Sequence, residues 1–171
     1  MAAPPEMTYC PRCAHPLEDR FVFERTRRVC PSCDFIFWRE HKVAAAAVVA
    51  LNGKVLLVRR TMTPGQGKWT IPGGFVEFDE DPRAAVVREV LEETGYRTRV
   101  VKLLDVIYGR EHKRGASLVI VYLTELLQDR PAQGVDETEV DAVGFFALDQ
   151  LPPIAFQATR QALGMWRVES S

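Results

Sequence analysis

Residues 64–96, "PGQGKWTIPGGFVEFDEDPRAAVVREVLEETGY", constrain the chain more than any other stretch. Up to Asp81 they hold too many turn-forming residues for regular structure. Asp81-Pro82 then predicts a helix start, with Asp as N-cap and Pro at the first helical position. The helix is expected to run to about Thr94, with Gly95 as its stop. Glu89, Glu92 and Glu93 stand at i, i+3 and i+4, so like charges are pressed together at a cost of a few tenths of a kcal/mol per pair. At about 100° per residue, Ala84, Val87, Val90 and Leu91 should form the packed stripe and the three glutamates the opposite, open face.

A solvated face is the ordinary reading of three such glutamates, but the surroundings point elsewhere. Gly74 is followed by five residues and Glu80, then by seven residues and "REVLEETGY" from Arg88 to Tyr96. Every fixed position of the Nudix box is present at its spacing, and "GKWTIPGG" from Gly67 to Gly74 matches the family's lead-in. Residues 43–171 therefore resemble a Nudix hydrolase. One departure is Tyr96, where the family more often has an aliphatic residue.

The chemistry suits the pattern. A diphosphate repels a nucleophile, so its hydrolysis needs cations at the phosphates. Mg²⁺ or Mn²⁺ is held by carboxylates plus substrate phosphates. Such ions acidify a water and neutralise the leaving phosphate. The resemblance implies that Glu89, Glu92 and Glu93 are the catalytic metal ligands, together with the backbone carbonyl of Gly73. It implies also that Arg88 pairs with Glu80 to fix the ligand helix. Either Glu93 or the loop residue Glu139 is expected to deprotonate the water; Glu139 lies six residues before Phe145, where relatives often carry a further acidic ligand. A plain charged loop in "DETEVD" is the alternative reading of Glu139.

Residues 1–42 have a different texture: few aliphatics and all four cysteines of the chain. Cys10-x-x-Cys13 and Cys30-x-x-Cys33 are separated by 16 residues, within the zinc-ribbon window. Four thiolates around Zn²⁺ make a closed, structural site. A module of this size needs such a staple, with Phe21, Phe23, Val29, Phe35 and Phe37 as its small core. His15 reads as a surface residue. The boundary falls at His41–Lys42, giving a four-cysteine ribbon over 1–41 and a Nudix domain over 42–171.

From Val43 onward, "VAAAAVVALNGKVLLVRR" reads as two strands joined at Asn52-Gly53 by a tight turn. Further strands are expected at Arg97–Tyr108, Ser117–Leu126 and 142–148, and a final amphipathic helix with Phe156, Thr159, Leu163 and Trp166 on its apolar side. The fold class is α+β, a Nudix-type α/β/α sandwich with a mixed sheet, preceded by the small ribbon.

Composition bounds the partners. A formal net charge of −1 in 171 residues gives no global attraction to nucleic acid or membrane. Segment 1–42 has seven Lys/Arg against six Asp/Glu, and "ERTRR" is its one basic run, so nucleic acid is not the expected partner. The longest apolar block has nine residues, far short of a membrane span, and the start lacks a signal-peptide layout. A cytoplasmic protein is expected.

A ribbon before a Nudix domain resembles the NADH pyrophosphatase branch, but residues 97–126 contain nothing like that branch's "SQPWPFPxS". The order of ribbon, "GKVLL", "G-x-W-x-x-P", box and "FALD-Q-LP" followed by Ala155-Phe156 is more similar to the enzymes that cleave FAD and ADP-ribose. The resemblance implies cleavage of a nucleoside diphosphate linked to another moiety, with AMP and the phosphorylated moiety released. The competing expectations are a house-cleaning nucleoside triphosphate hydrolase and a non-catalytic nucleotide sensor that uses the ribbon for a partner. Arg110, Arg114 and Phe156 are candidate substrate contacts, as is Lys113. Ribbon-bearing relatives tend to be homodimers, so a homodimer is expected.

Overall fold

The computed structural model describes residues 7–109, 118–128, 131 and 138–169. The chain divides into two compact units, Met1–Glu40 and His41–Ser171.

The first unit is built around β1 (Glu18–Val22) and β2 (Arg25–Val29), an antiparallel hairpin. Two knuckles of the same construction flank it. In one, the Cys10 N–H donates to the His15 carbonyl at 2.8 Å and the Ala14 N–H to the Cys10 carbonyl at 2.9 Å. In the other, Cys30 donates to Phe35 at 2.8 Å and Asp34 to Cys30 at 3.1 Å. Ala14 and Asp34 take the matching left-handed φ values of 58° and 54°. The core is Cys10, Leu17 and Cys30, with Met7, Phe35 and Phe37 against it. The expected inclusion of Phe21 and Phe23 is overturned: they are 76% and 69% exposed. Phe21 stands opposite Thr26 near the turn end of the hairpin, and Phe23 sits in the turn itself.

In the second unit, β3 (Val43–Leu51) and β4 (Lys54–Arg60) form a hairpin across Asn52-Gly53. Then come β5 (Trp69–Thr70), β6 (Gly73–Phe75), α1 (Pro82–Thr94), β7 (Thr98–Tyr108), β8 (Leu118–Leu126), β9 (Val140–Ala147) and α2 (Gln157–Glu169). Among the described residues the seven strands join in one mixed sheet, with β3 and β8 parallel and β7 antiparallel to β8. The period-two alternation of strands sorts side chains to two faces. Ala46, Val48, Val55, Leu57 and Val121 pack with Ala162, Leu163 and Trp166 of α2. Ala45, Ala47, Val49, Leu56 and Tyr122 pack with Ala85, Val86 and Val90 of α1. One helix per face makes the expected α/β/α sandwich. Among the described residues no helix is long and apolar enough to cross a membrane.

Two local differences from expectation have clear causes. β9 begins at Val140 because it follows the antiparallel register of β4, where Arg60 meets Val140. The packed side of α1 is Ala85, Val86, Glu89, Val90, Glu93 and Thr94, whereas Ala84 is exposed. Glu89 and Glu93 thus share the buried side with the apolar stripe instead of opposing it. The glycines of β6 let the helix settle close to the sheet and take both carboxylates inside.

Candidate active site and metal centre

The site begins with how α1 is held. The Asp81 carboxylate accepts from the Arg83 N–H at 2.7 Å, and Gly95, at φ 72°, returns its N–H to the Leu91 carbonyl at 2.8 Å. Both ends are therefore capped by the residues that announced them.

Beneath the helix lies β6. Gly73 pairs with Ala46 and Gly74 with Ala45. A Cβ at Gly74 would stand 2.4 Å from the Glu89 carboxylate, and one at Gly73 would stand 2.4 Å from the Ala45 carbonyl oxygen. Gly73 also has φ 153°, a backbone region that side chains disfavour. Its N–H donates to Glu93 Oε2 at 2.8 Å. The glycine pair is a seat for two carboxylates.

Arg88 organises the other acids. Its Nε and Nη2 each lie 2.9 Å from Glu80, as a bidentate pair. Nη1 donates to Glu89 at 2.8 Å and to Glu92 at 2.9 Å, and Nη2 reaches the Phe75 carbonyl at 3.3 Å. The pairing of Arg88 with Glu80 follows the sequence expectation, while the bonds to Glu89 and Glu92 go beyond it. The hydrogen bonds from Arg88 hold the Glu80 carboxyl below the usual carboxylate range.

Glu89 and Glu93 behave in the opposite way. Glu93 is 4% exposed, and burial pushes its carboxyl up to about 8. The Gly73 N–H pulls it back, the charges on Glu89 and Glu139 push it further up, and Arg60 opposes them. Glu89, 8% exposed, is raised chiefly by burial, against the pull of Arg88 and with the repulsion of Glu92 and Glu139. Glu139, from a loop 46 residues beyond Glu93 in the chain, thus acts on both buried acids. Its backbone is anchored by the Thr61 N–H at 3.0 Å.

Sequence reasoning did not single out Arg60, and it marked Gly74 by its place in the box without a role beside the carboxylates. Arg60 ends β4, donates to the Pro64 carbonyl at 2.9 Å, and has its guanidinium carbon 5.1 Å from the centre of the Phe156 ring. Phe156 is thereby placed beside a cation that faces the acidic group. No local signal marks Arg60, because its position depends on the pairing of β4 with β9. Arg110, Lys113 and Arg114 lie outside the described residues.

The buried acids fit a divalent cation. They are hard oxygen donors, mutually repelling, and one of them resists ionisation where it stands. Among the described residues they do not close into one cluster as the cysteines do, since Arg88 stands between Glu89 and Glu92 and Glu93 is turned to Gly73.

The ligand atoms of Cys10, Cys13, Cys30 and Cys33 all lie within 4.8 Å of one another. The Cys10–Cys33 and Cys13–Cys33 sulfur separations are 3.5 Å, and Cys13–Cys30 is 3.4 Å. A tetrahedron of sulfurs about 2.3 Å from a zinc ion has edges of about 3.8 Å, so the cluster is close to ligand geometry. Burial raises the Cys10 thiol, but the N–H groups of Arg12 and Cys13 outweigh it and bring Cys10 down to about 7. For Cys33 the Phe35 N–H pulls down, yet burial and the neighbouring sulfurs push it up to about 12. Four sulfurs this close ionise together only around a cation.

Comparison with known proteins identifies the family of the second unit. The NUDIX domain model matches residues 40–166. An ADP-ribose pyrophosphatase of Methanocaldococcus jannaschii is 36% identical over 115 residues, 67% of this chain and 66% of that protein. A MutT-like protein of Streptomyces ambofaciens is 35% identical over 65% of this chain and 67% of its own length. The chain thus spans about two thirds of these curated relatives. A solved NUDIX hydrolase from Nitrosomonas europaea superposes with a TM-score of 0.79 at 28% identity, over 96% of this chain and 94% of that one.

Proposed function

Because this chain belongs to the Nudix family across residues 40–166, we propose that it is a pyrophosphatase acting on a nucleoside diphosphate linked to a second moiety. ADP-ribose is the first candidate and FAD the next, with AMP and the phosphorylated moiety as products. The observation that carries this reading is the acidic focus of Glu89 and Glu93, buried under α1, with the charge of Glu139 bearing on both. The likeness to an ADP-ribose pyrophosphatase supports the substrate class.

Glu89, Glu92, Glu93 and the Gly73 carbonyl would hold Mg²⁺ or Mn²⁺. Bound there, the cation would neutralise diphosphate charge and make a water more acidic. Glu80 fixes Arg88, and Arg88 fixes Glu89 and Glu92, so the ligand side chains wait in position. Glu93 or Glu139 takes the proton of the attacking water. Burial holds the Glu93 proton to about pH 8 without metal, and a cation bound beside it would favour the charged form that can accept a proton. Arg60 and Phe156 stand together where a phosphate and a ring of the substrate would be met by a cation and an aromatic face.

The first unit would hold structural Zn²⁺ on Cys10, Cys13, Cys30 and Cys33. A homodimer is supported by β7, whose Val101, Leu103, Val106 and Tyr108 are exposed. Light scattering that returned a monomer mass at micromolar concentration would remove that part of the reading.

The deciding experiment incubates the protein with ADP-ribose, FAD, NADH, nucleoside triphosphates and a capped dinucleotide, with Mg²⁺ or Mn²⁺. Preferred release of AMP from ADP-ribose or FAD is expected. Preference for triphosphates would reassign the substrate, and binding without turnover would make the protein a sensor.

A further inference from the structure

The β1–β2 hairpin of the first unit carries features that neither a structural metal nor the hydrolytic site uses. In its register Arg20 stands directly opposite Arg27 and Val22 opposite Arg25, so Arg20, Arg25 and Arg27 share one face. Like charges directly across a ladder are unfavourable. Glu18, 2.5 Å from Arg20, is the acid on that face of the hairpin, whereas Asp19 and Arg28 pair on the other. Charge is therefore segregated within a unit whose total is close to neutral.

Aromatic rings accompany the arginines. The Arg27 guanidinium lies 4.5 Å from the Trp38 ring centre and 6.0 Å from that of Phe23, and the two rings are 5.7 Å apart at 35°. Phe23 is 69% exposed and Trp38 50%. The turn is strained as well: Phe23 and Glu24 have φ values of 49° and 61°, in a two-residue hairpin loop that ordinarily takes Asn-Gly. A bulky residue with positive φ is an outlier that its surroundings must enforce. Arg27 does so, donating to the carbonyls of Val22 and Phe23. A large ring is thus held out to solvent in an unfavourable backbone conformation, braced by a cation.

We infer that this face binds single-stranded nucleic acid, with the rings of Phe23 and Trp38 taking bases and Arg20 and Arg25 meeting phosphates. Stacking platforms set among cations are the chemistry that recognises unpaired strands, because every base has a π-face and every linkage a charge. Three arginines against the single acid Glu18 leave this face with an excess of positive charge that an apolar partner would not match, which is why a strand is favoured over a second copy or another protein. The surface belongs to the first unit and the carboxylates to the second, and the inference does not depend on the hydrolytic reading.

The test is fluorescence anisotropy of a labelled oligo-uridine or oligo-thymidine with the full chain, zinc retained and no magnesium added, over a salt series. Micromolar binding that weakens with salt is expected. Trp38→Ala should weaken it roughly tenfold, as the loss of one stacking ring does. Arg20→Gln with Arg25→Gln should reduce the salt slope by about 0.7 per arginine. Unchanged zinc content and unchanged nucleotide hydrolysis in these variants would confirm that both units stay intact. No binding at low salt, wild-type binding by both variants, or displacement of the oligonucleotide by ADP-ribose would overturn the assignment. So would a change in oligomeric state in Trp38→Ala without a change in oligonucleotide affinity, which would make the face a contact between copies.

Discussion

Glu93 combines two properties that ordinarily exclude each other, deep burial and an acidic side chain. The unfolded chain releases this proton near pH 4.5, whereas the folded protein holds it to about 8. Between those values the folded state binds more protons, so without magnesium or manganese stability should fall as pH rises from about 5 to 8. Each unit of pKa is about 1.4 kcal/mol, so the effect is on the order of a few kcal/mol. Thermal melts across that range should show the decline, Glu93→Gln should flatten it, and magnesium should reduce it. The same substitution should lower turnover by at least about a thousandfold while substrate still binds, since it removes a carboxylate proposed to hold the metal and to take the proton of the water. Isothermal titration beside steady-state kinetics separates the two effects, and near-normal turnover would take Glu93 out of the site. Gly74→Ala is a second residue-scale test. Its methyl would collide with the Glu89 carboxylate 2.4 Å away, so metal affinity should drop with little change in the rest of the fold. Manganese titration followed by electron paramagnetic resonance reads this directly.

At the scale of elements, α1 shows what local chemistry achieves and where it stops. Its ends follow from Asp81-Pro82 and Gly95, because capping involves atoms within a few residues. Asp81→Ala should cost about 1 kcal/mol of stability, seen as a lower midpoint in urea with an unchanged slope. Its packed side was not legible in the same way. Periodicity counts every glutamate as solvent-facing, but Glu89 and Glu93 go inside because β6 presents two glycines beneath them. The hairpin of the first unit teaches the same lesson in reverse. Phe21 and Phe23 count as core by composition, yet both stand in water, at the turn end of the hairpin and away from the cysteines.

For the whole molecule, the two units should respond to different ions. Cys33→Ser removes one of four ligands and should lower zinc content, measured by mass spectrometry of the purified protein, with loss of order in the first unit. The second unit has its own two-sided core and should keep its helices and sheet, so far-ultraviolet circular dichroism should change little. Loss of magnesium should do the converse, stopping hydrolysis while the zinc cluster is unaffected.

Spacing and capping along the chain were enough to predict the box, the four-cysteine cluster, the bounds of α1 and the sandwich, because each rests on contacts between near neighbours or on a period imposed by backbone geometry. What they could not settle is which groups meet across long separations. The bearing of Glu139 on Glu89 and Glu93, the station of Arg60 beside Phe156, and the entry of two acids into the interior all depend on strand pairing between distant segments. Pairing of that kind is decided by the packing of the whole sheet, where burial, and not side-chain polarity alone, determines which carboxylate is charged.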